Sequence, residues 1–182
     1  MEWEFGLFVV VYLAILFLLI HTAITGISPV PTTRAVRGDM LAQVPGDVQG
    51  KVLELGSGWG ALAFALARRL PRCEIVGFEL SPIPWAYSRV RLALFPQPNL
   101  RIVRGNFHRT SYHDVVLVVC YLFPGGMRAL RPKFEAELPS GAVVISNTFA
   151  IPEWRPVRTI QPQSDPQGPQ VYVYRLPESL VE

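Results

Sequence analysis

The chain has 182 residues, which is enough for one compact domain with an appendage but not for two full domains. Half of the residues are hydrophobic and only 17% are charged, compared with about a quarter in typical soluble domains, so the composition excludes a disordered chain. The mean hydropathy of +0.28 is high for a soluble domain.

The apolar excess is concentrated at the N-terminus, where residues 5–33 form a run of 29 residues without a formal charge. Within that run, residues 5–24 are apolar all round, and a helix of twenty residues spans about 30 Å, the thickness of a bilayer core. A cleavable signal peptide would begin with basic residues, whereas this chain begins Met-Glu-Trp-Glu. We therefore predict an uncleaved transmembrane helix as an anchor over residues 1–27 and a second domain over residues 28–182.

The orientation of the anchor follows from its flanking charges. All 17 basic residues follow the predicted span, together with 12 of the 14 acidic residues, which leaves the second domain with about +5 charges. Basic residues are retained on the cytoplasmic side of a membrane. We predict a single-pass protein of the cytoplasmic (inner) membrane, with its second domain on the cytoplasmic side.

Predicted strands and helices alternate along the second domain. A first helix is capped by Thr32 or Thr33 and runs to about Val44. Strands are predicted at residues 51–55, 74–79, 100–103, 114–121, 142–149, 155–160 and 171–175, and further helices at residues 61–70, 82–95 and 127–138. Alternation predicts an α/β fold, a Rossmann-like seven-stranded sheet that is mostly parallel. Short turns separate the last three strands, which predicts antiparallel pairing and places the chain end at a sheet edge.

The clearest functional signal is a glycine-rich turn between a strand and a helix. Gly56, Gly58 and Gly60 permit positive φ angles and let a ligand approach the backbone, and Ser57 lies in the same turn. The turn loosely matches the G-x-G-x-x-G/A pattern of dinucleotide-binding proteins, and Glu79 follows at about the sequence distance at which such proteins have an acid that binds the ribose. Glu54, however, places a carboxylate where it would repel a pyrophosphate and attract the amino group of a methionine. The turn therefore favours S-adenosylmethionine over NAD.

Two further segments are candidates for binding the cofactor. Glu79 ends the second strand, and its carboxylate can accept hydrogen bonds from both ribose hydroxyls. Asn106 and Phe107 follow the third strand, where they would contact the adenine amino group and ring. A helix-capping acid and an ordinary polar loop are the structural alternatives. Cys73 and Cys120 lie in apolar runs without a CxxC or Cys/His cluster, so we predict buried thiols and no metal site.

The order of these motifs resembles one family. The segments are Pro31-Thr32, Glu54 to Gly60, and residues 77–82, 121–124, 130–133, 137–142 and 149–154. Together they resemble the class I, seven-stranded S-adenosylmethionine-dependent methyltransferases, and among these the membrane-anchored lysine methyltransferases of the mitochondrial ADP/ATP carrier and the ATP synthase c-subunit, with their prokaryotic relatives. Trp59 departs from the pattern, because the family commonly has an acid there. So do Asn147 and Thr148, where prokaryotic relatives often have His-Asp.

The resemblance implies an S-adenosylmethionine-dependent methyltransferase that modifies a lysine of a membrane or membrane-associated protein. It adds Thr32 and Leu80 to the predicted cofactor contacts. Tyr121 is our candidate for the catalytic, acceptor-facing residue, and Phe149 and Trp154 are candidates for lining the substrate channel, with core packing as the alternative for all three.

Two other functions stay open from the sequence. The acceptor of the methyl group could be a lipid or a small lipophilic molecule, since an anchored enzyme meets both lipids and proteins. Alternatively, the chain could be an inactive membrane-tethered module that binds S-adenosylmethionine. Nucleic acid is not an expected partner, because no basic and aromatic recognition module is appended.

Overall fold

The computed structural model of the protein describes residues 3–9, 12, 34–162, 166 and 168–180. The chain divides into two units, residues 1–31 and residues 32–182. In the first unit, residues 3–9 and 12 are helical with exposed side chains. Most of the predicted membrane span lies outside the described residues, as does Thr32. Within the described part of the chain, no helix combines the length and the apolar character needed to cross a bilayer.

The second unit is built on a seven-stranded sheet. Its strands are β1 (Lys51–Leu55), β2 (Glu74–Glu79), β3 (Leu100–Arg104), β4 (Val115–Cys120), β5 (Val143–Asn147), β6 (Arg158–Ile160) and β7 (Val171–Arg175). Its helices are α1 (Arg34–Ala42), α2 (Ala61–Arg69), α3 (Pro82–Leu94) and α4 (Pro124–Glu137), with a short 3-10 helix at Phe107–Arg109. The predicted fold class is confirmed for this unit.

The strand order is β3-β2-β1-β4-β5-β7-β6. The first five strands in this order are parallel to one another, and β7 is antiparallel to both β5 and β6. Antiparallel pairing of the last strands is thus confirmed, but the prediction that the chain end forms the sheet edge is wrong. The edge is β6, which has three residues and is mostly exposed, whereas the more buried β7 pairs with β5 over five residues. A short polar strand suits an edge better than a buried apolar one.

Helices cover both faces of this sheet. On one face, a core of apolar strand residues packs against α1 and α2 and against Trp85 and Leu92 of α3. On the other face, the α4 residue Met127 lies beside Cys120 and Ser146 of β4 and β5. The helix α4 begins three residues earlier than predicted, at Pro124. Proline is well tolerated in the first turn of a helix, because an N–H group there has no partner within the helix. Both cysteines are buried and unpaired, as predicted, and burial raises the pKa of the Cys120 thiol to about 12.

Candidate active site

The glycine turn lies at the carboxyl end of β1, where the strand order of the sheet reverses. Gly56, Gly58 and Gly60 all have positive φ angles, of 78°, 52° and 74°. The N–H groups of Gly56 and Ser57 both donate to the carbonyl oxygen of Phe78, at 2.9 and 2.8 Å. The turn is therefore attached to the end of β2, at the crevice where open α/β sheets bind their ligands.

Glu79, the last residue of β2, holds this turn through its carboxylate. One oxygen accepts from the N–H of Gly58 at 2.7 Å, and the other accepts from the N–H of Ser81 at 2.7 Å. Hydrogen bonds to an ionised carboxylate are roughly twice as strong as neutral ones. Since each carboxylate oxygen can accept a second hydrogen bond, Glu79 is still able to accept from two ribose hydroxyls. Capping and ligand binding are thus compatible at this residue.

Glu54 is a buried carboxylate on β1, next to the turn. It accepts from the N–H of Ala63 in the first turn of α2, while its Oε2 is buried without a partner. The pKa of Glu54 is raised to about 8: burial is the largest cause, the Ala63 hydrogen bond opposes it, the charge of Glu79 adds to the rise, and Arg37 lowers it slightly. A cationic ligand group would supply the partner that Oε2 lacks and would favour the ionised form.

The same contacts argue against a pyrophosphate at this turn. A pyrophosphate binds to free N–H groups at a helix N-terminus. Here the N–H of Gly58 is bonded to Glu79, that of Gly60 to the carbonyl of Ser57 at 2.8 Å, and that of Ala63 to Glu54. Because these three donors are occupied by protein acceptors and two carboxylates lie beside them, the turn suits an amino acid and a ribose better than a dinucleotide.

A buried serine on α3 fixes the far side of the turn. Ser88 is fully buried, and its hydroxyl donates to the carbonyl of Gly58 at 3.1 Å. A Cβ atom on Gly60 would lie 2.9 Å from the Ser88 Oγ and 3.2 Å from its Cβ. Gly60 is therefore required both by its positive φ and by the close approach of α3.

We expect Gly60→Ala to destabilise the domain by at least about 2 kcal/mol and to abolish cofactor binding, because strain and a steric clash add at one site. Gly141→Ala is the matched control: Gly141 also has a positive φ, of 85°, but a Cβ there would meet nothing within 4 Å. That control should cost only about 1 kcal/mol and leave binding unchanged. Urea unfolding and titration calorimetry measure both quantities, and equal losses in the two variants would contradict the close approach to α3.

The loop after β3 meets the site through the backbone. The N–H of Gly105 donates to the carbonyl of Glu79 at 3.1 Å. The Asn106 side chain caps the 3-10 helix by accepting from the N–H of His108 at 2.9 Å, which the sequence did not predict. Phe107 is partly exposed, and Leu80 is exposed, with 57% of its surface accessible. Their predicted contact with an adenine ring stays a prediction.

On the other side of the switch point, Tyr121 and Phe149 come together at the ends of β4 and β5. Their rings are nearly parallel, at 10°, with centroids 6.2 Å apart, and both are partly exposed. Trp154 does not join them: it is buried against Phe134 and Tyr174, and its indole N–H donates to Glu135 at 2.9 Å. The place of Trp154 in an acceptor channel remains a prediction.

The structure adds two residues that the sequence had singled out only as a departure from a family pattern. Asn147, the last residue of β5, is buried, and the N–H of Phe149 donates to its carbonyl at 2.8 Å across Thr148. Thr148 has a φ of 69°, so the segment has the hydrogen bond and φ of a classic γ-turn, which is rare and strained. Strain of this kind in a β-branched residue is found mainly at functional sites.

Unsatisfied polar atoms are concentrated at this edge of the sheet. Among the described residues, five buried side-chain oxygen or nitrogen atoms lack a partner, and they belong to Glu54, Ser57, Trp85, Asn147 and Thr148. Four of the five lie at the carboxyl ends of β1 and β5. Since buried polar groups are normally hydrogen-bonded, this clustering indicates a site built for a ligand.

This sheet order, with a carboxylate-bearing glycine turn and a second acidic strand end, defines a class I S-adenosylmethionine-dependent methyltransferase domain. The family model for the ANTKMT methyltransferase domain matches residues 54–158, which is more than half of the chain. The chain belongs to this family, as the motif order indicated.

Individual relatives agree with this assignment. A mouse adenine nucleotide translocase lysine N-methyltransferase is 32% identical over 119 residues, which is 64% of this chain and 51% of the mouse protein. A protein-lysine N-methyltransferase of Saccharolobus islandicus (strain REY15A) is 28% identical over 155 residues, 82% of this chain and 93% of that protein. The region aligned with the mouse protein therefore covers about half of that protein's length.

One solved structure covers nearly the whole fold. An RNA methyltransferase from Salinibacter ruber, in complex with S-adenosyl-L-homocysteine, superposes with a TM-score of 0.70 at 27% identity. The superposition covers 84% of this chain and 97% of that one.

Proposed function

We propose that this protein transfers a methyl group from S-adenosylmethionine to the side-chain amine of a lysine in a membrane or membrane-associated protein. The observation that carries the proposal is that two groups of buried polar atoms without hydrogen-bond partners lie at the same end of the sheet. Glu54 and Ser57 lie on the cofactor side, and Asn147 and Thr148 lie on the acceptor side.

The cofactor side fits S-adenosylmethionine group by group. When bound, the cofactor supplies an electrophilic methyl group on its sulfonium. Glu54 would accept from its ammonium group, Glu79 from its ribose hydroxyls, and Leu80 and Phe107 would cover its adenine. The orphaned Oε2 of Glu54 is the structural reason for assigning the ammonium there.

The acceptor side would orient a neutral amine. A free lysine has a pKa of about 10.4, and burial against apolar groups lowers the pKa of an amine by disfavouring its charged form. The aromatic faces of Tyr121 and Phe149 provide such surroundings and also attract a cation before its proton leaves. The Asn147 Oδ1 would accept one N–H of the amine and so direct the nitrogen lone pair toward the methyl group.

We expect Asn147→Leu to lower kcat for methyl transfer by about 100-fold, because an amine that is no longer oriented rarely reaches the attacking geometry. The same change should stabilise the fold by about 1 kcal/mol, since it removes an unsatisfied buried group without changing side-chain volume much. Cofactor affinity should not change. A variant that is less stable and equally active would show that Asn147 is a packing residue only.

The membrane part of the proposal rests on two supports. Residues 5–24 have the length and composition of a membrane span. The mouse relative is named for a translocase as its target. We place the catalytic unit on the cytoplasmic side, as the distribution of basic residues favours.

The proposal is tested by incubating the purified full chain with radioactive S-adenosylmethionine and membranes from cells that lack it. Label is expected in the protein fraction, and the loss of this label in Glu79→Ala would assign the transfer to this chain. Label in the lipid fraction would indicate a lipid acceptor. Label in RNA would indicate an RNA acceptor, as the name of the Salinibacter ruber protein states for that protein. Either result would overturn the lysine assignment.

A further inference from the structure

The outer face of α3 carries a stripe of exposed apolar residues. Ile83, Tyr87, Val90 and Leu94 are spaced by four, three and four residues, so they lie on one side of the helix. Their exposed fractions are 51%, 53%, 61% and 69%.

The opposite side of the same helix is already used for folding. Trp85 and Leu92 pack on the core, and Ser88 is buried under the glycine turn. A helix on the surface of a soluble domain normally has polar residues opposite its buried side. Here both sides are apolar, and Leu80 and Phe95, which flank the helix in sequence, are also exposed. Large continuous apolar surfaces of this kind mark interaction sites.

The residues around the stripe indicate what it contacts. Trp59 is 41% exposed and packs edge-to-face on Tyr87, with centroids 5.2 Å apart, and this pair of residue types is enriched at membrane–water interfaces. No acidic residue occurs between Glu79 and Asp114, whereas five arginines do. Two of them, Arg89 and Arg91, lie on α3 itself; the Arg91 guanidinium lies over the Phe64 ring, 4.2 Å from its centroid, and Arg101 pairs with Glu74. An exposed apolar stripe on a segment that carries arginines and no acidic residue suits a bilayer with anionic headgroups.

We propose that α3 and the adjoining Trp59 form a surface, which we call the α3 face, that docks into the headgroup region of an anionic bilayer. A second copy of the chain fits this surface less well, because a symmetric dimer would bring its arginines against their own equivalents. The proposal goes beyond methyl transfer and does not depend on it.

The test uses the full chain with a single new cysteine, since both native cysteines are buried. Val90→Cys on the α3 face and Val157→Cys form a matched pair: both valines are exposed, at 61% and 47%, and Val157 precedes β6, at the sheet edge opposite β3. Each variant is labelled with an environment-sensitive fluorophore and reconstituted in vesicles of phosphatidylcholine and phosphatidylglycerol, with and without spin-labelled lipid.

We expect the label at residue 90 to brighten and to be quenched by spin-labelled lipid, while the label at residue 157 does neither. Quenching at residue 90 should weaken in vesicles of phosphatidylcholine alone. Equal quenching at both positions, or none at residue 90, would overturn the proposal. So would brightening without quenching, which would show that a protein segment covers the α3 face. None of these readings requires methyl transfer, so they stay separate from a failure of the proposed activity.

Discussion

Glu79→Ala is expected to reduce the affinity for S-adenosylhomocysteine by at least about 100-fold, because hydrogen bonds to a charged group contribute about 1.5–3 kcal/mol each and two ribose contacts would be lost. The change also removes the acceptors for the N–H groups of Gly58 and Ser81. The glycine turn would then lose its attachment to the end of β2, which adds to the loss of binding.

Glu74→Ala is the control for this variant. Glu74 is at the other end of the same strand, is exposed, and forms an ion pair with Arg101. Titration calorimetry should find its affinity unchanged. A 2′-deoxyribose analogue separates the two roles of Glu79: it should bind more weakly than the natural ligand to the wild type but equally to the variant. Full binding by Glu79→Ala would remove the ribose assignment.

Glu54→Gln is expected to stabilise the protein without cofactor and to weaken cofactor binding. Because the pKa of Glu54 is raised to about 8, the folded protein holds a proton that the unfolded chain loses near its ordinary pKa of 4.5. Stability therefore falls as pH rises through this window. A glutamine side chain does not titrate in this range. The free energy of unfolding of Glu54→Gln should therefore rise relative to that of the wild type by about 3 kcal/mol between pH 5 and pH 8.

The binding of S-adenosylhomocysteine should show the reverse dependence. Wild-type affinity should rise from pH 6 toward pH 8, by up to about tenfold per pH unit, as the carboxylate ionises to meet the ammonium group. The variant should bind more weakly at pH 8 and show a flatter profile. Urea unfolding and calorimetry over this range test both parts. A stability gap that is the same at pH 5 and pH 8 would show that Glu54 is ionised in the free protein.

Much of this architecture follows from local sequence. The apolar runs predicted β1, β2 and β7 at the bounds that the structure has, because strands buried in a sheet need no polar alternation. The glycine turn and its two acids were likewise predicted from spacing alone. What the sequence could not predict depends on contacts between distant segments. The insertion of β7 between β5 and β6 is one such case.

The site shows the same limit at the level of single residues. Nothing local indicates that Ser88 holds the glycine turn, or that the N–H groups of that turn are already bonded. The strained turn at Thr148 was visible only as two polar residues after an apolar strand. The apolar residues of the α3 stripe can be recognised in the sequence by their helical spacing. Its exposure became evident only when Trp85 and Leu92 were seen to pack on the core.

Lysine methylation by this protein is tested most directly by mass spectrometry of membrane proteins from cells that carry the wild-type chain or Glu79→Ala. We expect at least one peptide whose lysine is methylated only with the wild type, and whose methylation is restored when purified protein and S-adenosylmethionine are added to the membranes. Identical lysine methylation in the two samples would contradict the transfer of methyl groups to membrane-protein lysines by this chain.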